Sequence, residues 1–239
     1  VLSASPRPVK AAKIAEETGL PRSTLYVLLD ALERRKWIEK RDDGFIVGVS
    51  LFEFGNAYVR HDHLLTAFRE EASLFVARYN EVVQMAVLDG RHVVYIARED
   101  AAQPVRLVSD LGSRLPAHCC ALGKALLARL DDETINKLLP AKLEVQTEHS
   151  CSSRTELLKQ LVEVRASGIA TEREEAVLGL ACFSAFVGVT ALGKHVAISC
   201  SIPLGRLSPQ MERRIRVNVA DMASRIGKYL VTGIGDKQR

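Results

Sequence analysis

KAAKIAEETGLPRSTLYVLLDALERRKW, residues 10–37, contains two predicted helices separated by a short turn. The first covers Lys10 to Thr18, and Gly19 ends it because glycine adopts the left-handed conformation at little cost. The second begins at Pro21 or Arg22. Its predicted apolar face recurs at spacings of three and four residues and comprises Leu25, Leu28, Leu29 and Leu32. This arrangement is typical of a helix-turn-helix, although a helical hairpin in any bundle shares it.

The second helix leaves polar side chains exposed near its start, which is the part that enters the major groove in such motifs. These candidate DNA contacts are Arg22, Ser23, Thr24 and Tyr26.

Two short strands follow, Trp37 to Lys40 and Gly44 to Val47, and Arg41 lies in the turn between them. The strands and their turn predict the wing of a winged helix, with Arg41 directed at the DNA backbone. From Arg7 to Arg41 there are nine Lys or Arg and five Asp or Glu, a basic surplus that coincides with the motif.

Composition narrows the class of protein. The 239 residues carry a formal net charge of +4 and contain 47% hydrophobic and 26% charged residues, as in a globular protein of one or two domains. No apolar run approaches the roughly 20 residues of a membrane span, and no secretory signal is recognisable. Five cysteines without a C-x-x-C pair argue against a disulfide framework and for the cytoplasm. The sequence begins abruptly, so we expect a helix that precedes it to be missing.

The remainder of the chain predicts a linker helix and a second domain. His63 to Asn80 has helical periodicity, which gives boundaries of 1–60 for the winged helix-turn-helix domain, 61–80 for the linker helix and 81–235 for the second domain. Two hairpins are expected, one around Asp89-Gly90 and one around Leu192-Gly193-Lys194, with a further strand at Val105 to Val108. Helices are expected at 121–130, 132–139, 154–167 and 208–230. Hairpins mixed with helices predict an α+β fold whose antiparallel sheet is flanked by helices.

A ligand pocket is predicted where small polar residues share one face of a strand. Ser199 and Ser201 are two residues apart in an apolar strand, and Cys182 and Ser184 repeat this spacing on the preceding strand. The segment from Arg114 leads into a helix start, where free N–H groups favour small anions. Together these features favour a compact carboxylic acid as ligand. The alternative is that these side chains only pack and bond to the backbone.

Another hypothesis is a metal- or thiol-dependent enzyme or redox sensor that uses His118, Cys119 and Cys182. Zinc requires three or four ligands, and adjacent cysteines on a helix point in different directions. No P-loop, dinucleotide-binding glycine pattern or G-x-S-x-G motif is present. We therefore expect no enzymatic activity, no metal and no cofactor.

The sequence as a whole resembles the IclR family of bacterial transcriptional regulators. The resemblance extends from about Lys10 to Leu230. It includes GLPRSTLY (residues 19–26), LPAHCCALGKALLA (115–128), GIATEREEAVLGLAC (168–182) and AISCSIP (197–203). It implies a winged helix and a GAF-like effector domain that assemble as dimers or tetramers on DNA. By position, it implies an effector pocket that contains Ala121, Leu122, Glu172, Leu180, Cys182, Ser199 and Ser201. The chain departs from many relatives in having Val27 after the aromatic residue of the recognition helix, Glu172 in place of aspartate, and Ala121 in place of glycine.

The resulting functional expectation is a cytoplasmic regulator of a catabolic operon that responds to a small organic acid. It would bind a palindromic operator in double-stranded DNA as a homodimer or a dimer of dimers, without a membrane partner.

Overall fold

The computed structural model describes residues 1–60, 63–102 and 109–232 of the chain. These residues form two compact units, Val1–Asp62 and His63–Arg239. The division falls close to the predicted boundary at residue 60. The helix that was expected as a linker over 61–80 begins at His63 and belongs to the second unit.

The first unit is a small helical domain with a two-stranded wing. Its elements are α1 (Ala11–Thr18), α2 (Arg22–Arg34), β1 (Ile38–Arg41), β2 (Gly44–Val47) and α3 (Val49–Arg60). Gly19 ends α1 with a φ of 67°, and its N–H donates to the Ala15 carbonyl, as the sequence predicts. The wing is extended by Val9, whose backbone exchanges two hydrogen bonds of 2.9 Å with Phe45. Backbone hydrogen bonds therefore hold the segment before α1 against the wing.

The core of this unit explains which part of α2 remains exposed. Its buried members are Val9, Ile14, Leu25, Leu29, Ile38 and Phe45. The prediction that Leu28 also packs inward is wrong, because its side chain is 44% exposed. At about 100° per residue, Leu28 lies about 60° around the helix from Leu25 and so falls at the edge of the buried stripe.

The second unit is built on one six-stranded antiparallel sheet with the strand order β5-β4-β3-β8-β7-β6. The strands are β3 (Val82–Asp89), β4 (His92–Glu99), β5 (Arg114–Pro116), β6 (Ile169–Arg173), β7 (Leu180–Val189) and β8 (His195–Pro203). The helices are α4 (His63–Tyr79), α5 (Ala121–Leu127), α6 (Asp132–Leu138), α7 (Arg154–Ser167) and α8 (Pro209–Thr232).

Both predicted hairpins are confirmed, as β3–β4 and β7–β8. The ends of α7 are also as expected, because Ser153 accepts a hydrogen bond from the Glu156 N–H and Gly168 adopts a φ of 74°. Strands β5 and β6 were not predicted, and β5 replaces the loop that was expected before α5. The strand expected at Val105 to Val108 lies outside the described residues.

The two faces of the sheet are covered by different helices. Leu122, Ala125 and Leu126 of α5 share one buried cluster with Ala170 and Ala197 of the sheet. On the opposite face, Arg216 of α8 lies over the Phe183 ring at 5.3 Å. Met222 and Ile226 of α8 are buried, as predicted, whereas Met211 is only partly buried. Alternate residues of β7 and β8 therefore face either α5 or α8.

Among residues 1–60, 63–102 and 109–232, no helix combines the length and the apolar character that a membrane crossing requires.

Close contact between α5 and the turn before it depends on Gly123. A methyl group at this position would overlap the backbone carbonyl and Cα of Ala117. We expect Gly123→Ala to lower the free energy of unfolding by about 2–3 kcal/mol, because backbone on both sides must move. Urea denaturation would measure the change. Gly205→Ala is the control, because a methyl group there meets open space and should change stability by less than about 0.5 kcal/mol. Equal effects of the two substitutions would contradict this account of α5.

Candidate DNA-binding surface and effector site

The amino-terminal part of α2 presents polar side chains to solvent. Arg22, Ser23, Thr24 and Tyr26 are all exposed, and Tyr26 is 58% exposed. Leu25 between them is buried and fixes the rotation of the helix. The four candidate contacts therefore lie outside the core and are available to a partner.

The wing contributes a further basic residue. Arg41 pairs with Gly44 at the tip of the β1–β2 hairpin. Its guanidinium is exposed and donates to the Glu39 carboxylate at 2.9 Å. Exposed ion pairs of this kind contribute little energy, so Arg41 can exchange this carboxylate for a phosphate.

In the second unit, the strand register places the predicted pocket residues in two adjacent rows. Glu172, Cys182 and Ser201 lie opposite one another across β6, β7 and β8. The next row on the same face comprises Ala170, Ser184, Ser199 and Gln84. Leu180 shares this face because it is two residues from Cys182. The effector residues expected on the sheet thus meet on one face, the face that α5 covers.

Helix α5 closes this face from above. Cys120 caps it, since its Sγ accepts a hydrogen bond from the Gly123 N–H at 3.4 Å. Ala121 and Leu122, the predicted contacts at the helix start, are buried. The helix has only seven residues, so its dipole is small and the polar side chains of the sheet carry the chemical argument.

Most of the polar side chains beneath α5 are hidden from solvent. Glu172, Ser199 and Ser201 are each 2% exposed. The Cys182 Sγ and Ser201 Oγ are 3.3 Å apart, within hydrogen-bonding distance. Ser184 donates to the Ile198 carbonyl at 2.7 Å, so its hydroxyl is engaged in the sheet. This face is therefore a polar patch inside an otherwise apolar core.

Charge is concentrated at one end of the patch. The Lys124 ammonium is 2% exposed and forms an ion pair with the Glu175 carboxylate. The Glu175 backbone N–H donates to Glu172 Oε2 at 2.9 Å. Burial nevertheless raises the pKa of Glu172, because the ionised form loses its hydration. A protonated Glu172 can donate a hydrogen bond, which an ionised carboxylate cannot.

Sequence reasoning missed Gln84 and Lys124. Gln84 lies beside Ser199 on β3, and its Nε2 donates to the Ser109 Oγ at 2.9 Å. A lone amide within the apolar run VVQMAVL was the available signal. Lys124 had no comparable signal, because its partner Glu175 is 51 residues away in the chain.

The hypothesis of metal or thiol chemistry finds no support in the described residues. The His118 ring forms a 2.7 Å hydrogen bond with the Glu144 carbonyl, and the Cys119 thiol donates to the Pro116 carbonyl. Burial raises the pKa of Cys120 to about 12 and that of Cys182 well above its usual value. Such thiols are protonated at neutral pH and are weak nucleophiles. No group of three His, Cys, Asp or Glu in the described ranges is arranged to hold a metal ion.

Comparison with known proteins agrees with this architecture. Residues 56–228 match the family described as bacterial transcriptional regulator IclR, C-terminal, and residues 1–42 match the IclR helix-turn-helix domain. The chain belongs to the IclR family. It is therefore a DNA-binding transcriptional regulator with an amino-terminal helix-turn-helix and a carboxy-terminal effector-type domain.

Individual IclR-family proteins show the same similarity. The HTH-type transcriptional regulator TtgV of Pseudomonas putida is 32% identical over 213 residues, which are 88% of this chain and 80% of TtgV. The structure of an IclR transcriptional regulator from Alicyclobacillus acidocaldarius matches with a TM-score of 0.80 at 21% identity, over 93% of this chain and 91% of that one. An IclR homologue from Microbacterium hydrocarbonoxydans, complexed with 4-hydroxybenzoate, matches with a TM-score of 0.75 at 20% identity, over 93% and 91%.

The buried Glu172 predicts a pH dependence of stability. Its pKa is raised in the folded protein, so between the ordinary and the raised value the folded protein binds more protons than the unfolded chain. Stability should therefore fall as the pH rises through this window. We expect Glu172→Gln to flatten this fall, as measured by urea midpoints from acidic to neutral pH. Glu163→Gln on the exposed side of α7 is the control and should leave the profile unchanged. An unaltered profile in Glu172→Gln would exclude Glu172 as its origin.

Proposed function

We propose that this IclR-family protein is a cytoplasmic regulator of a catabolic operon whose binding to DNA responds to a small organic acid. The observation that carries the proposal is the buried polar patch of Glu172, Cys182, Ser199 and Ser201 beneath α5. Hydroxyl, thiol and carboxyl groups gathered on one buried face are the kind of polar groups that orient a ligand in a mostly apolar site, so the patch favours a polar guest.

The DNA-binding half of the proposal assigns base and phosphate contacts to Arg22, Ser23, Thr24 and Tyr26, and a backbone contact to Arg41. Their exposure and the basic surplus of residues 7–41 support this assignment. Such proteins commonly bind as dimers whose two-fold symmetry matches a palindromic site. A homodimer or a dimer of dimers on a palindromic operator is the assembly we propose.

The effector half of the proposal rests on hydrogen-bond chemistry. The hydroxyls of Ser199 and Ser201 can donate to carboxylate oxygens, as can a protonated Glu172. Leu180 and Leu122 provide apolar walls, and Ala121 adds a small side chain at the helix start. The Microbacterium homologue is complexed with 4-hydroxybenzoate, an organic acid, which supports the same class of ligand here. Ligand and operator affinity would be linked by about 1–3 kcal/mol, enough for a 5–150-fold change.

Arg22→Ala tests the DNA contact. We expect operator affinity to fall by about tenfold and its dependence on salt to weaken, because one phosphate or base contact is lost. Fluorescence anisotropy at several salt concentrations, with a duplex selected from random sequences, would measure both quantities. Arg34→Ala removes the same charge from the last turn of α2, where Arg34 pairs with Asp30, and should have a much smaller effect. Equal losses of operator affinity in the two variants would show that Arg22 acts through its positive charge alone and makes no specific contact with DNA.

The double substitution Ser199→Ala with Ser201→Ala tests the pocket. We expect it to abolish effector binding while DNA affinity stays within about twofold, because both side chains lie in the second unit. A thermal-shift screen of organic acids would identify a ligand for the unmodified protein, and calorimetry would compare the variants. Cys200→Ala is the control, since this buried side chain points to the opposite face of the same strand. Retained binding in the double variant would refute the assignment.

A further inference from the structure

A cavity lies on the opposite side of the sheet from the polar patch beneath α5. It has a volume of about 370 Å³ and is formed by the end of α4 and the start of α8. The lining residues are Arg78, Tyr79, Ser208, Gln210, Met211 and Arg214. Helix α8 packs on the Phe183 face of β7, whereas Cys182 and Ser184 face α5. The sheet therefore separates this cavity from the polar patch beneath α5.

The cavity carries two positive charges that no carboxylate of the described chain neutralises. Among the described residues, the Arg78 guanidinium contacts only the Asn218 side-chain oxygen, at 3.4 Å, and the face of the neighbouring Tyr79 ring, with 5.2 Å to the ring centroid. The Arg214 guanidinium has no hydrogen bond or ion pair with any described residue. The nearby acids are already paired: Glu81 is bound by Arg206, and Glu212 by Arg173 and Arg216.

A neutral donor at the start of α8 adds to this basic site. Gln210 lies in the first turn of α8, where backbone N–H groups have no acceptor within the helix. Ser208 caps that turn by accepting from the Met211 N–H. The walls of the cavity thus offer mainly positive charge and hydrogen-bond donors.

We propose that this cavity binds a phosphate group, either as the free anion or as part of a small phosphomonoester. Two guanidinium groups from different helices provide the forked donors that match phosphate oxygens, and charge-assisted bonds of this kind are the strongest available at a surface. The volume lies near the lower limit for small-molecule sites, so it suits a phosphate with a short organic substituent.

An anion bound in this cavity would link α4 and α8, which are already held together by other side-chain contacts. Glu71 of α4 and Arg225 of α8 form an ion pair of 2.7 Å, and Arg78 reaches Asn218. An anion between Arg78 and Arg214 adds a bridge at the end of α4 that leads into β3. A bound anion would therefore act on this domain from the side of the sheet opposite the patch beneath α5.

Isothermal titration calorimetry of the full chain tests this proposal with inorganic phosphate and with glycerol 3-phosphate, at constant ionic strength and without DNA. We expect saturable binding of one anion per chain. Tighter binding of the phosphomonoester would identify a metabolite as the ligand, and equal or tighter binding of inorganic phosphate would identify the free anion. The absence of saturable binding by either probe would overturn the proposal.

Substitutions locate the site. Arg214→Ala and Arg78→Ala should each weaken anion binding by about tenfold, because one charge-assisted contact is lost. Both side chains are exposed, so the variants should fold normally. Arg213→Ala is the matched control, since it removes the same charge from an exposed neighbour that does not line the cavity. A loss in Arg213→Ala equal to that in Arg214→Ala would show general electrostatic attraction instead of a site.

Discussion

Strand β8 is the element on which the organisation of the second unit depends. It lies inside the six-stranded sheet and pairs with both β3 and β7, so both of its edges are hydrogen-bonded. Ile198, Cys200 and Ile202 face one side and build an apolar core, while Ser199 and Ser201 face the other. Because side chains alternate strictly along a strand, one short segment separates an apolar packing surface from a polar surface.

Polar residues on the neighbouring strands extend the polar face of β8. Glu172 and Cys182 extend the row of Ser201, and Gln84 and Ser184 extend the row of Ser199. Helix α5 covers this face and lies close against the turn that precedes it, because Gly123 has no side chain where the Ala117 backbone passes. A buried ion pair between Lys124 and Glu175 adds charge at the edge of the patch. Such a pair contributes little net stability, since desolvation offsets the attraction.

In the first unit, one face of a helix is anchored in the core while the other face stays exposed. Leu25 and Leu29 anchor α2, while Arg22 and Tyr26 remain outside the core. The bridge between Val9 and Phe45 ties the wing to the segment before α1. Rigid positioning of this kind limits the conformational entropy lost when a helix binds.

The sequence by itself determined the local elements and the family. Several of its signals act over only a few residues, so they can be recognised without knowledge of the fold. They are the glycine at position 19, the leucine spacing in α2, the Asp89-Gly90 turn and the paired serines of β8.

Tertiary structure decided the remaining features. Strand β6 is short and mixes polar with apolar residues, so only pairing with β7 makes it a strand. Leu28 is exposed because no element covers that edge of α2 in the described unit. Gln84 meets Ser199, Lys124 meets Glu175, and Arg78 meets the α8 cavity only because the chain returns from distant positions. Contacts at long sequence separation depend on strand order and helix packing, which no local pattern encodes.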